Sequence, residues 1–137
     1  VNVTRDTLSI VTKMMLSVEF KTDRCAELAG KNFATATDLE RTEKYLEMLG
    51  LRDYFTEIVC ATMVKEGKPS PDIYQYACEQ LGRKPEECIA VEDSPNGVLS
   101  AYRAGCKVVM VPDQTQPDEE LMKLLYRKCD SLFDLMV

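Results

Sequence analysis

Residues 87–112 of the chain are ECIAVEDSPNGVLSAYRAGCKVVMVP. This stretch predicts a strand, a helix and a second strand in direct succession: 87–93, 94–105 and 106–112. Ser94 and Pro95 are residue types that begin helices, and Gly105 is typical of a helix end. Both strands are apolar, as strands of a parallel sheet are when helices cover both faces. The stretch therefore predicts a strand–helix–strand unit within a parallel sheet.

The rest of the chain continues this alternation. Its predicted elements, in chain order, are a strand over 31–37, a helix over 37–50, a strand around 57–60, a helix over 70–82 and an amphipathic helix over 116–128. Ser70 is predicted to cap the 70–82 helix, with Pro71 as its first residue. Strands that alternate with helices through short turns predict an α/β fold, here a three-layer, Rossmann-like core with a parallel sheet flanked by helices.

The first 30 residues predict a separate helical segment. Four apolar residues of this segment would share one face of a helix: Val11, Met14, Met15 and Val18. A second short helix is predicted from about 22 to 29. The chain is therefore divided into an N-terminal helical segment, 1–30, and an α/β core, 31–137.

The composition excludes several classes of function. The net charge of −6 gives the chain no basic surface for nucleic acid. No apolar run near the N-terminus is long enough for a signal peptide or a membrane span. The chain has no histidine, which excludes Ser-His and Cys-His catalysis and imidazole metal sites. Six cysteines without a Cys-x-x-Cys pair indicate reduced core thiols in a cytoplasmic protein rather than a disulfide or zinc framework.

Residues able to bind a cation and a phosphate are predicted at one edge of the sheet. Ligands of open parallel sheets bind at the carboxyl ends of the strands, beside the N-termini of the following helices. Glu92 and Asp93 end one strand, Thr35–Thr37 ends another, and Lys68 precedes the 70–82 helix. Paired carboxylates suit Mg²⁺, whereas a hydroxyl, a lysine and helix N-terminal amides suit a phosphoryl group. The edge therefore predicts a Mg²⁺-assisted phosphoryl-transfer site.

Each of these residues also has a purely structural interpretation. Asp93 suits the start of a helix, where the dipole favours acids, and Glu92 by itself is more often structural than functional. Thr35 and Thr37 suit a strand and a helix cap. Lys68 in a Gly-Lys-Pro turn is typical of a solvated loop lysine. Only the ordered set of residues is specific for the site.

Three separated motifs resemble the haloacid dehalogenase superfamily. They are, in chain order, FATATD, GKPSPDIYQYACEQLG and CIAVEDSPNGVLSAYRAGCKVVMVP. The resemblance covers residues 31–137 and is nearest to the β-phosphoglucomutase-like branch of sugar-phosphate phosphatases and mutases. It implies a Mg²⁺-dependent phosphoryl transfer on small phosphorylated metabolites.

The resemblance also implies roles for individual residues. Thr35 takes the place of the hydroxyl that holds the transferring phosphoryl group, and Ala36 supplies a neighbouring backbone amide. Lys68 takes the place of the lysine that balances charge between this group and the nucleophile. Asp93, supported by Glu92, takes the place of the acidic Mg²⁺ site.

The sequence departs from this family at the nucleophile. Members attack phosphate with an aspartate of an Asp-x-Asp-Gly motif on the central strand, and the branch inserts a helical cap after it. The chain has no Asp-x-Asp, and the closest string, TRDTL at residues 4–8, has Thr4 at the position of the nucleophile. Thirty-four residues cannot hold both that strand and a cap. The chain is therefore expected to be the C-terminal part of a longer enzyme or a diverged relative without the chemistry.

Two other classes remain to be weighed. A non-catalytic module that binds phosphate or Mg²⁺ would use the same residues for interaction with a partner. A receiver-type signalling domain is disfavoured, because its acidic residues come first in the chain, whereas here the order is Thr35, Lys68, Asp93. A sheet without its nucleophile strand would also leave unpaired edges, through which the chain could self-associate.

Overall fold

The computed structural model describes residues 14–16 and 39–135 of the chain. Its four strands form one parallel sheet in the order β1–β2–β3–β4: Met14–Leu16 (β1), Ile89–Glu92 (β2), Lys107–Met110 (β3) and Arg127–Lys128 (β4). Four α-helices accompany the strands in the described ranges: Leu39–Met48 (α1), Asp72–Gln80 (α2), Pro95–Ala104 (α3) and Glu119–Met122 (α4). The predicted α/β class, a parallel sheet with flanking helices, is confirmed.

The predicted strand–helix–strand unit is confirmed as β2, α3 and β3. Val91 lies opposite Val109 in the parallel register of the two strands. Ser94 caps α3, because its hydroxyl oxygen accepts a hydrogen bond from the backbone amide of Gly97 at 3.2 Å. Gly105 ends the helix with a φ of +97°, a left-handed conformation that favours glycine.

The sheet has an apolar layer on each face, because successive residues of β2 and β3 point to opposite sides. One layer packs against α2, α3 and α4, and its buried residues include Tyr74, Cys78, Ala90, Val98, Val108, Met110 and Leu121. The other layer contains Val91, Val109, Val111, Cys129 and Leu132. The unit β2–α3–β3 is therefore covered on both sides, as its apolar sequence predicted.

Five cysteines in the described residues are buried thiols that form no disulfide: Cys60, Cys78, Cys88, Cys106 and Cys129. This agrees with the prediction of core thiols. In the same part of the chain, no helix has the length and the apolar composition needed to cross a bilayer.

The structure corrects the helical prediction for the N-terminal segment. Met14–Leu16 form a strand that pairs in parallel with β2, with Met15 opposite Ala90. A short apolar run satisfies helical and strand patterns equally, and the exposed edge of β2 selects the strand. The other predictions for 1–30, and the strand predicted over 31–37, lie outside the described residues.

Two further predicted elements are wrong. The stretch 57–60 forms no strand; it is flanked by 3-10 turns at Arg52–Tyr54 and Ala61–Met63 and pairs with no described strand. The helix predicted over 116–128 ends after Met122. The amide of Tyr126 instead donates to the carbonyl of Val108 at 2.8 Å, which draws the following residues alongside β3 as β4.

The cap predicted for the 70–82 helix is also corrected. Pro71 is the N-cap of α2, one residue later than expected, and it provides no side-chain cap. The Ser70 hydroxyl donates to the Asp72 carboxylate at 2.6 Å instead of accepting from the helix backbone. Gly82 follows the helix with a φ of +61°, as predicted for a helix end.

Candidate active site

Glu92 lies at the carboxyl end of β2 and is completely buried, with 0% of its surface exposed. A carboxylate in such a position is costly to bury unless charged and hydrogen-bonding groups surround it. Its position follows from the sequence, because the apolar strand residues before it are covered on both faces of the sheet. The partners of Glu92 therefore define what this end of the sheet can do.

Two donors meet at one oxygen of Glu92. The Nζ of Lys68 donates to Oε1 at 2.5 Å, forming an ion pair, and the hydroxyl of Tyr74 donates to the same Oε1. The second oxygen, Oε2, lies 3.5 Å from the hydroxyl of Ser94. The Lys68 side chain keeps 22% of its surface exposed. One end of this ion pair is therefore buried, while its cation reaches the surface at the strand end.

Gly97 provides the space that the Glu92 carboxylate occupies. A Cβ at this position would lie 1.8 Å from Oε2 and 2.1 Å from the carboxyl carbon. No side chain can be accommodated at such distances, so the close approach of α3 to Glu92 requires glycine. Pairing with Lys68 and the close approach of Gly97 together fix the carboxylate.

The turn that carries Lys68 is docked onto α3. The Ser100 hydroxyl donates to the carbonyl of Ser70 at 2.5 Å, and Nη1 of Arg103 donates to the carbonyl of Pro69 at 3.0 Å. Ser100 is fully buried, whereas Arg103 is exposed. These two contacts and the ion pair to Glu92 connect the turn to the strand–helix–strand unit, which positions the ammonium group of Lys68.

Asp93 is the first residue after β2 and is partly exposed. Its carboxylate is the kind of hard oxygen ligand that Mg²⁺ uses, and Mg²⁺ usually keeps several waters beside one or two carboxylates. Glu92 differs, because Lys68, Tyr74 and Ser94 already surround its oxygens. Within 39–135 no group of three or more acidic or thiol side chains is arranged to hold a metal ion. Among the described residues, a Mg²⁺ ion at this end of β2 would therefore have Asp93 as its candidate carboxylate ligand, with water filling most of its coordination positions.

The structure brings together part of the predicted site. Lys68 and Glu92 are in direct contact, and Asp93 follows Glu92 at the same strand end. Thr35 and Ala36 lie outside the described residues. The phosphate-binding and metal-binding roles of all five residues stay predictions.

Sequence reasoning missed Tyr74, Gly97 and Ser100. Tyr74 and Cys78 are four residues apart on the buried face of α2, a spacing that is typical of core residues and that gives no sign of a hydrogen bond to Glu92. Gly97, at the third position of α3, is a weak signal of close approach, because glycine is unfavourable inside a helix. Ser100 is the only polar residue in the buried face of α3. Because a buried hydroxyl needs a hydrogen-bond partner, its position was a signal of the contact to Ser70.

Comparison with protein families identifies the class of this fold and site. The family model described as haloacid dehalogenase-like hydrolase matches residues 32–111, which is more than half of the chain. The chain therefore belongs to the haloacid dehalogenase-like hydrolases, within their phosphatase and phosphomutase branch. The family resemblance of the three sequence motifs is thereby confirmed.

Individual relatives agree with this membership. The chain is 33% identical to hexitol phosphatase B of Escherichia coli O157:H7 over 102 residues, 74% of the chain and 46% of that protein. Among solved structures, CbbY of Rhodobacter sphaeroides in complex with phosphate is 36% identical with a TM-score of 0.63, covering 82% of this chain and 52% of that one. β-Phosphoglucomutase of Clostridium difficile is 29% identical with a TM-score of 0.57, covering 67% of this chain and 39% of that one. The chain spans less than half the length of the curated relatives that match it.

Proposed function

We propose that this chain supplies the phosphate- and metal-binding part of a Mg²⁺-dependent phosphoryl-transfer site for small phosphomonoesters such as sugar phosphates. The observation that carries the proposal is the Lys68–Glu92 ion pair at the carboxyl end of β2, directly before Asp93. A buried carboxylate fixes the ammonium group of Lys68 at the edge where ligands of parallel sheets bind. A cation held in this way is suited to the charge of a phosphoryl group.

Each residue of the proposed site has a separate role. Lys68 neutralises the negative charge of the phosphoryl oxygens, and Glu92 keeps its ammonium group in place. Asp93 would hold the Mg²⁺ ion, which when bound would offset further charge on these oxygens. Thr35 and Ala36 would contribute a hydroxyl and a backbone amide to the phosphoryl group, as the family resemblance implies. The catalytic residues of the proposal within this chain are therefore Thr35 and Lys68.

The names of the relatives support this class of substrate. Hexitol phosphatase B is named for a phosphorylated sugar alcohol, and β-phosphoglucomutase for a sugar phosphate. The CbbY structure was solved with phosphate. Hydrolysis and mutase chemistry share the phosphoryl-binding residues, so the proposal covers a phosphatase or a mutase.

Anion and metal binding test the proposal directly. Titration of the chain with tungstate, a phosphate mimic, should give an affinity that Lys68→Gln weakens by about 1.5–3 kcal/mol, the range for a charge-assisted hydrogen bond. Lys44→Gln, at an exposed lysine of α1, is the matched control and should bind as the wild type does. Mg²⁺ should bind weakly and lose affinity in Asp93→Asn. Equal tungstate binding by all three proteins, or Mg²⁺ binding unchanged by Asp93→Asn, would remove these residues from the site.

The second candidate is a diverged module that binds phosphate or Mg²⁺ through the same residues without catalysis. Phosphoryl transfer through an aspartyl-phosphate needs an attacking carboxylate. Thr35 and Lys68 have no carboxylate, and the proposal assigns that of Asp93 to Mg²⁺. We therefore expect the 137-residue chain with Mg²⁺ to hydrolyse a panel of sugar phosphates at a small residual rate. Robust hydrolysis that Asp93→Asn abolishes would instead identify this chain as a complete enzyme with an unrecognised nucleophile.

We also propose a cytoplasmic location and self-association through β1. The five buried thiols of the described residues, none of them in a disulfide, suit a reducing compartment. β1 pairs with β2 on one side, and no strand of the described residues pairs with its other side. A strand edge of this kind would offer its backbone groups to a second chain. Sedimentation at increasing protein concentration tests the association, and a constant monomer mass would exclude it.

A further inference from the structure

We propose that Tyr74 is a positioning residue of the site, whose hydroxyl fixes the Glu92 carboxylate and through it the ammonium group of Lys68. This inference rests on the proposed function, in which Lys68 binds the phosphoryl group. Tyr74 itself is not expected to touch the phosphate. Its role is to limit the positions that the lysine can adopt.

The first observation is the hydrogen bond between Tyr74 and Glu92. Tyr74 is in the first turn of α2 and only 5% of its surface is exposed, yet its hydroxyl reaches Oε1 of Glu92 at the end of β2. A buried phenol hydroxyl needs a partner, and an ionised carboxylate accepts a stronger hydrogen bond than a neutral oxygen does. The bond therefore ties α2 to β2 at the candidate site.

The second observation is that Tyr74 also contacts the cation. The Nζ of Lys68 lies 5.6 Å from the centroid of the Tyr74 ring, within the range of a cation–π interaction. The ring and the hydroxyl of one side chain thus contact both members of the ion pair. The ammonium group therefore contacts both the carboxylate at the end of β2 and an aromatic ring on α2.

The hydroxyl can be separated from the packing of the ring. Tyr74 belongs to the apolar layer formed with Cys78, Val98 and Met110. Phenylalanine at position 74 would fill the same volume and keep the ring beside Lys68, whereas it lacks the hydroxyl that donates to Glu92. An effect of this variant on the lysine therefore reports positioning rather than core packing.

The experiment compares Tyr74→Phe with Tyr76→Phe in the 137-residue chain. Tyr76 is in the same helix and is partly exposed. Its substitution by phenylalanine therefore also removes a tyrosine hydroxyl, but one that does not contact Glu92. Proton–nitrogen correlation spectra of the lysine ammonium groups at low temperature should show a slowly exchanging signal for Lys68, assigned by its loss in Lys68→Gln. We expect Tyr74→Phe to broaden or abolish this signal, and Tyr76→Phe to leave it unchanged.

Tungstate affinity and thermal unfolding complete the comparison. We expect Tyr74→Phe to weaken tungstate binding about threefold to tenfold, which is the effect of one net hydrogen bond. In thermal unfolding, Tyr74→Phe should be as fully folded as Tyr76→Phe at the temperature of the titration. A Lys68 signal in Tyr74→Phe that matches the wild type would overturn the inference, as would a wild-type chain without a protected signal. If Tyr74→Phe loses the signal but the wild type binds no tungstate, Tyr74 does position Lys68 and the proposed function fails instead.

Discussion

The unit β2–α3–β3 and the segment 51–71 both contribute to the candidate site, but they are built differently. Within the unit, strand residues are buried on both faces and α3 has a side-chain cap at its start and a glycine at its end. Within 51–71 only Leu51 and Cys60 are buried, and the stretch predicted as a strand, 57–60, is irregular and lies between two short 3-10 turns. Nevertheless this segment carries Lys68. The unit thus supplies a rigid carboxylate, whereas the segment supplies a cation on a loosely packed chain.

The difference shows where the geometry of the site originates. Loops have few buried contacts of their own and are the first parts of a protein to open. The turn around Lys68 is instead attached to the unit by Glu92, Ser100 and Arg103. The rigid unit therefore defines the position of the lysine, and changes within the unit should affect the site more than changes at its surface.

Gly97→Ala should have the largest effect. Its Cβ would overlap the Glu92 carboxylate at 1.8 Å, which must move and lose its partners or force α3 away from β2. Overpacking together with disruption of a buried ion pair should lower the free energy of unfolding by about 3 kcal/mol or more. Urea unfolding measures the change, with Asn96→Ala, at an exposed position of α3, as the control. A stability loss no larger than that of the control would show that α3 does not approach the Glu92 carboxylate this closely.

The sequence predicted the unit β2–α3–β3 almost completely, because the residues that specify each of its elements lie within or next to that element. A Ser-Pro start, a glycine end and apolar strands specify β2, α3 and β3 without knowledge of the rest of the chain. The segment around 57–60 has a strand-like composition, but a strand exists only when a neighbouring strand supplies hydrogen bonds. In the same way β4 is selected by the edge of β3 against the helical pattern of its residues. Such choices depend on tertiary partners, which no local pattern contains.

Alkaline pH should destabilise the unit through its buried thiol, Cys106. Burial raises the pKa of Cys106 to about 11 from 9.0, so the folded chain keeps a proton that the unfolded chain loses. Stability is then unaffected below pH 9 and falls as the pH rises from 9 toward 11, by about 1.4 kcal/mol per pH unit for each such thiol. Urea unfolding at pH 8, 9 and 10 should show a shallower decline in Cys106→Ser. Parallel declines in the two proteins would contradict the assignment.

Ser100→Ala should loosen the Lys68 turn without breaking the unit. The variant removes the hydrogen bond from a fully buried hydroxyl to the carbonyl of Ser70, 2.5 Å away, which should cost about 1 kcal/mol of stability. Because Ser70 is two residues from Lys68, tungstate affinity should also fall. Isothermal titration and urea unfolding provide both values, again with Asn96→Ala as the control. Lower stability with unchanged affinity would show that the turn keeps Lys68 in place without Ser100.

The site was less predictable than the fold, for a physical reason. Lys68, Glu92 and Asp93 could be named as candidates from the sequence because charged residues at strand ends and helix starts carry a chemical signal. The contact that pairs Lys68 with Glu92 rather than with Asp93 depends on the burial of Glu92 and the position of α2. Tyr74 has the same local pattern as any core aromatic residue, and only the packed structure shows its hydroxyl at Glu92.

Arg103→Lys should have the smallest effect, because the contact it changes is exposed. The guanidinium donates to the carbonyl of Pro69 at 3.0 Å, while its charge near the end of α3 interacts favourably with the helix dipole. Lysine keeps that charge and loses the defined donor geometry, so only the contact to the turn is tested. We expect a stability change within about 0.5 kcal/mol, as for most surface substitutions, and tungstate affinity within twofold of the wild type. Arg103→Gln, which also removes the charge, separates the dipole contribution from the contact. If Arg103→Lys lowered stability and tungstate affinity as much as Ser100→Ala does, the turn would depend on its exposed contact with Arg103. The buried contacts of the unit would then not set the position of Lys68.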